Sequence, residues 1–119
     1  MVQKIYNLKK LDEIAQDNKE FVRDMVVTFV DNVTTEIVGI QSFRSSENWI
    51  AVAESTHKLT SNFAYLGASS LQTLAADIEK SVINDRNLTG IADKTEKLCN
   101  ESLFLIIQLK KDFCIIDTN

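Results

Sequence analysis

Residues 47–67 read ENWIAVAESTHKLTSNFAYLG. Trp49, Val52, Thr56, Leu59, Phe63 and Leu66 step by three, four, three, four and three residues, the period of an amphipathic helix. Gly67 follows where a helix C-cap is expected, because glycine takes left-handed dihedrals without steric cost. The stretch therefore reads as a helix from about Glu47 to Leu66, with Ser45 and Ser46 as the turn and N-cap before it.

The same period continues on both sides. Upstream, Val22, Val26, Phe29, Val33, Ile37 and Ile40 mark a helix from about Lys19 to Ser42, roughly 35 Å long at 1.5 Å per residue. Phe21 and Met25 widen its stripe. Before it, a short helix is expected from about Leu8 to Ala15, capped by Asn7, with Leu8, Leu11 and either Ile14 or Ala15 inward. Downstream, Leu71, Leu74, Ala75, Ile78 and Val82 mark a helix from about Ser69 to Ile83. Asn84 to Asn87 read as a polar turn. Ile91, Leu98, Leu105 and Leu109 then mark a last helix from about Thr89 to Phe113.

The chain has no proline and three glycines in 119 residues, so turns are few and elements long. An all-β fold is disfavoured on that ground. Short loops between long amphipathic helices make neighbours antiparallel. The expected fold is all-α: one domain over residues 1–119, an antiparallel up-down four-helix bundle with a short extra N-terminal helix. A chain of this length buries enough surface to form a core without disulfides or a metal.

Charge and cysteine content narrow the function. A net charge of −4 suits neither a phosphate backbone nor an anionic lipid surface, so no nucleic-acid or membrane partner is expected. Cys99 and Cys114 form no CxxC pair and read as reduced thiols of a cytoplasmic protein. The start, MVQKIYNLKK, has no apolar signal core. The longest apolar run, Leu103 to Ile107, falls far short of a membrane span.

The sole histidine, His57, is the chemically informative residue. At about 100° per residue it points roughly 140° away from the apolar stripe of its helix. Its helical neighbours, Ala53, Thr60, Ser61 and Ala64, are small, so a second protein could approach the ring. A histidine side chain ordinarily titrates near 6.5 and offers a neutral, nucleophilic nitrogen at about pH 7. An inert surface histidine is the alternative reading. Phe43 and Ile50 lie near the start of this region; they serve either to finish the core, the simpler reading, or to mark a partner site.

The segment Ala53–Ala68 resembles the signature of histidine-containing phosphotransfer (HPt) domains: a helix with A-H-x-L-K-G, a glycine ten residues after the histidine, then a helix reading L-x-x-L-x-x-x-L-E. Leu71, Leu74, Ile78 and Glu79 stand in that second register. Tyr6-Asn7-Leu8 and Asn48-Trp49 resemble the family's common start and its g-D-W turn. Two positions depart from the pattern: the family's lysine and glycine, three and four residues after the histidine, are Thr60 and Ser61 here.

The resemblance implies that His57 accepts a phosphoryl group from a receiver-domain aspartate and passes it to another receiver, in a hybrid sensor kinase and a response regulator. It implies that Nε2 attacks, that Glu79 holds Nδ1–H, and that Lys58 is a candidate partner for the phosphoryl charge. A solvated flank position is the alternative for Glu79 and for Lys58. Ala53, Thr60, Ser61 and Ala64 would surround the docking receiver, with Gly67 structural. The magnesium would come from the receiver, with no cofactor or metal bound by the chain itself. No nucleotide-binding loop is present, so autokinase activity is not expected. A monomer is expected.

The competing reading is a helical adaptor or dimerisation module without phosphochemistry, using Phe104, Ile106 and Ile107 around the last helix's stripe. A sensor-kinase dimerisation domain fits less well, because its usual proline after the histidine is missing and no ATP domain follows.

Overall fold

The computed structural model describes residues 4–115. The expected domain also takes in residues 1–3 and 116–119, which lie outside the described residues. Five α-helices and no strands occur among the described residues: α1 (Lys9–Ile14), α2 (Lys19–Ser45), α3 (Trp49–Tyr65), α4 (Ser69–Glu79) and α5 (Ile91–Asp112). A π-helical turn, Lys80–Asn84, extends α4.

The long helices pack in a ring. α2 contacts α3, α3 contacts α4, α4 contacts α5, and α5 returns to α2, while α1 lies against α2. The core comes from the residues that set the period: Val26, Val33, Ile37 and Ile40 of α2, Leu59 and Phe63 of α3, Ala75 and Ile78 of α4, and Leu98, Leu105 and Leu109 of α5 are all buried. Phe21 does not join them; it is 42% exposed at the first turn of α2, and only Met25 of that pair packs on the core. In α1 Leu11 is buried, as is Ala15 at the C-cap, whereas Ile14 is exposed.

Capping explains where the elements differ from expectation. α2 runs three residues beyond Ser42, so Ser45 and Ser46 form no N-cap. Arg44 holds this last turn onto α5: its Nε donates to the Ala92 carbonyl at 3.0 Å and its guanidinium pairs with Glu96 at 3.2 Å. The helix closes through Glu47 N–H to Arg44 O and Asn48 N–H to Phe43 O, with Glu47 itself at a φ of 56°. The cap of α3 is therefore Asn48, whose Oδ1 accepts from Ala51 N–H at 3.2 Å. Asn18 caps α2 in the same way on Phe21 N–H. Asn7 Oδ1 accepts from Lys9 N–H, which starts α1 one residue later than expected. α5 begins at Ile91 because Gly90, at a φ of 73°, breaks the course from Thr89.

Gly67 carries two constraints. At the end of α3 the Gly67 and Ala68 N–H groups return to Ala64 O and Phe63 O, the Schellman pattern, which needs the left-handed φ of 61° found there. The N-terminal segment also crosses directly over this turn. Asn7 N–H donates to Leu66 O at 3.0 Å, and a Cβ on residue 67 would lie 1.9 Å from Asn7 O. The segment is fastened at its other end to α5: Ile5 N–H donates to Gln108 Oε1, and Tyr6 Oη donates to the Asp112 carboxylate. Burial and that carboxylate push the Tyr6 phenol well above its ordinary pKa, while the phenol's hydrogen bond holds Asp112 below its own.

Gly67→Ala should lower stability by about 2–3 kcal/mol in urea unfolding, from the left-handed φ together with the collision with Asn7. The two thiols should differ sharply. Cys99 is buried in α5 and its thiol is pushed up chiefly by burial, whereas Cys114 is exposed. A maleimide under native conditions should label Cys114 alone, and Cys99 should react only on unfolding, as read by mass spectrometry.

Candidate functional site

α3 is clasped on two sides, by α2 and by α4. Its buried arc is correspondingly wide: Val52, Ala53, Ser55, Thr56, Leu59, Asn62 and Phe63. What remains exposed is a narrow strip of Ile50, Glu54, His57, Lys58, Ser61 and Tyr65. His57 sits in its middle with 71% of its side chain exposed.

One contact orients the ring. His57 Nδ1 lies 3.0 Å from Glu79 Oε1 and 3.1 Å from Oε2, across the α3–α4 seam. A carboxylate only accepts, so this contact places a hydrogen on Nδ1 and leaves the Nε2 lone pair directed away from Glu79. Glu79 is half-buried and is the last α-helical residue before the π-helical turn. Its neighbour Asp77 is engaged elsewhere, paired with Lys94 of α5 at 3.0 Å.

The small residues around the ring are not equivalent. Ser61 is exposed, and Thr60 and Ala64 are half-buried. Ala53 is 1% exposed and belongs to the core, so it lies beneath the strip and not on the surface a partner would touch. The sequence placed it on the polar side because it follows His57's face at one helical turn; the two-sided packing of α3 closes over it. The Thr60 hydroxyl turns back to the Thr56 carbonyl, and the Asn62 amide to the Lys58 carbonyl. Lys58 is exposed, and among the described residues no carboxylate lies within ion-pairing distance of its ammonium. Glu54, also exposed, places a negative charge one turn before the ring.

A groove of about 570 Å³ opens on the same side of the molecule, lined by Trp49, Ile50, Val82, Ile83, Arg86 and Leu88. Ile50, two turns before His57 on α3, does not finish the core; it is 55% exposed, while Phe43 packs partly against the core. Ile83 and Leu88 are also exposed. The π-helical turn helps to shape this groove. It contributes Val82 and Ile83 to the lining. The sequence contains no signal for that turn, because Ile78 and Val82 fit an ordinary helical stripe equally well.

On the last helix Ile106 is buried, whereas Phe104 and Ile107 are exposed, with Leu103 exposed beside them. Among the described residues no cluster of three His, Cys, Asp or Glu side chains could hold a metal ion, and no helix is long and apolar enough to cross a membrane.

Comparison with known proteins gives one match. The family model described as Hpt domain covers residues 24–111, from the first turns of α2 almost to the end of α5, and includes both His57 and Glu79. No curated protein and no solved structure matches the chain. With about three quarters of its length matched, and with an exposed histidine held by a carboxylate of the next helix, the chain belongs to the Hpt domain family, whose members carry phosphoryl groups on histidine in phosphorelays.

Proposed function

We propose that this chain accepts a phosphoryl group on His57 from the aspartate of a receiver domain and gives it to the aspartate of a second receiver, one in a hybrid sensor kinase and the other in a response regulator. The observation that carries this reading is the exposed imidazole whose Nδ1 is held at 3.0 Å by Glu79. The fold that presents it is an antiparallel up-down bundle, a course supported by the short connections at 46–48 and 66–68 and by the ring of helix contacts. The protein works as a monomer in the cytoplasm.

In the forward step the Nε2 lone pair attacks phosphorus, the N–P bond forms, and the acyl phosphate's P–O bond breaks. The electron pair leaves with the aspartate carboxylate. The imidazole becomes cationic while Nδ1 keeps its proton, and the Glu79 carboxylate stabilises that cation. The same charge makes the ring a good leaving group for the return step, so one geometry serves both directions. The receiver supplies magnesium, whose role is to neutralise phosphoryl oxygens; positioning and charge neutralisation account for most of catalysis in such transfers. Lys58 is the cation of this chain nearest in sequence to the ring, and its free ammonium suits a phosphoryl partner. Ser61, Thr60 and Ala64 leave room for the receiver, and the groove beside Ile50 and Ile83 extends the docking face. Gly67 keeps the end of α3 in place.

Incubation with a phosphorylated receiver and magnesium should place acid-labile label on the wild type and none on His57→Gln; equal labelling of the two would end the assignment. Glu79→Ala should slow transfer about ten-fold or more, because a hydrogen bond to a charged group is lost, while the helical circular-dichroism spectrum and unfolding midpoint stay close to wild type. An unchanged rate in rapid-quench measurements would remove Glu79 from the mechanism.

A further inference from the structure

The phosphoryl group on Nε2 would bring two negative charges to the α3 strip, and the four helical neighbours of His57 differ in what they can offer it. Ala53 is buried and apolar. Glu54 is an exposed carboxylate and repels. The Thr60 hydroxyl is half-buried and directed at its own helix's Thr56 carbonyl. Ser61 alone is both exposed and a donor. Its hydroxyl also has no hydrogen-bond partner among the described residues. Thr28, Thr34, Ser45, Ser46, Thr60 and Thr95 return their hydroxyls to a carbonyl one turn earlier, whereas the Ser61 hydroxyl does not and stays available on the exposed strip.

Direction and reach agree with this difference. Residues four apart on a helix have Cβ atoms about 5–6 Å from each other, and a helical side chain leans over the turn N-terminal to its own Cα. Ser61 therefore leans over the turn that carries His57. Glu79 approaches the ring from α4 and occupies Nδ1, so the other nitrogen, and whatever is bonded to it, is left on the open strip that Ser61 shares.

We propose that the Ser61 hydroxyl is a binding group for the phosphorylated state, donating a hydrogen bond to an oxygen of the phosphoryl group on His57 Nε2. It acts on the product of transfer and holds no proton that moves in the reaction. This role rests on the assignment of His57 as phosphoacceptor.

The test uses the full chain and phosphoramidate as a small donor. Nε2 attacks phosphorus, the N–P bond to the ring forms, and the donor's own P–N bond breaks with ammonia as the leaving group. The 31P resonance of the product is then titrated against pH in wild type, Ser61→Ala and Ser61→Thr. A donor to the dianion favours the charged form. The titration midpoint of the phosphoryl group should therefore rise by about half to one pH unit in Ser61→Ala and return to the wild-type value in Ser61→Thr. Identical midpoints in wild type and Ser61→Ala would overturn the role of Ser61 alone. No phosphohistidine resonance in the wild type would overturn both this role and the assignment of His57. Ser61→Ala sits on an exposed helical face and replaces serine with a better helix former, so folding is not at stake.

Discussion

The packing of α3 between α2 and α4 determines what that helix can present at the surface. A helix clasped on one side shows half its circumference to water. Clasped on two sides, α3 shows a single file of residues, and His57 is at its centre. The same two-sided packing brings α4 close enough for Glu79 to reach Nδ1 from the side. Exposure and orientation of the ring thus have one cause. A looser bundle would free the carboxylate, and a tighter one would cover the imidazole.

That arrangement depends on where α3 ends. Gly67 allows the chain to reverse in a left-handed turn, and it also leaves room for Asn7 to cross and bond to Leu66. The N-terminal segment is fastened through Ile5 and Tyr6 to the far end of α5. So the α3–α4 turn, on which the facing of His57 and Glu79 relies, is tied to the C-terminal part of α5, distant in sequence, by a strap outside the matched Hpt region.

The periodic residues were legible because burial of a helix face leaves a regular mark. Every stripe residue of α5 named from the sequence is buried, as are those of α2 apart from Phe21 and Met25. Gly67 was legible because a helix stop needs a residue that tolerates positive φ. His57 stood out because it lies off its own stripe. What was not legible depends on contacts distant in sequence. Arg44 reaching Ala92 carries α2 past its expected end and moves the cap of α3 from Ser46 to Asn48. The second neighbour of α3 buries Ala53, which a one-stripe projection leaves outside. Ile50 reads as core by composition and is surface by position. The π-helical turn at Lys80–Asn84 has no period of its own over five residues, so only the structure reveals it.

The central claim is that Glu79 fixes the ring so that Nε2 is the nitrogen that bonds phosphorus. The most direct measurement is the isomer of phosphohistidine formed on the native protein, read by 15N–31P coupling in NMR. This account predicts phosphorus on Nε2 only, with the proton retained on Nδ1. Phosphorus on Nδ1 would require Glu79 to have been displaced from its place beside the ring, and would contradict the account.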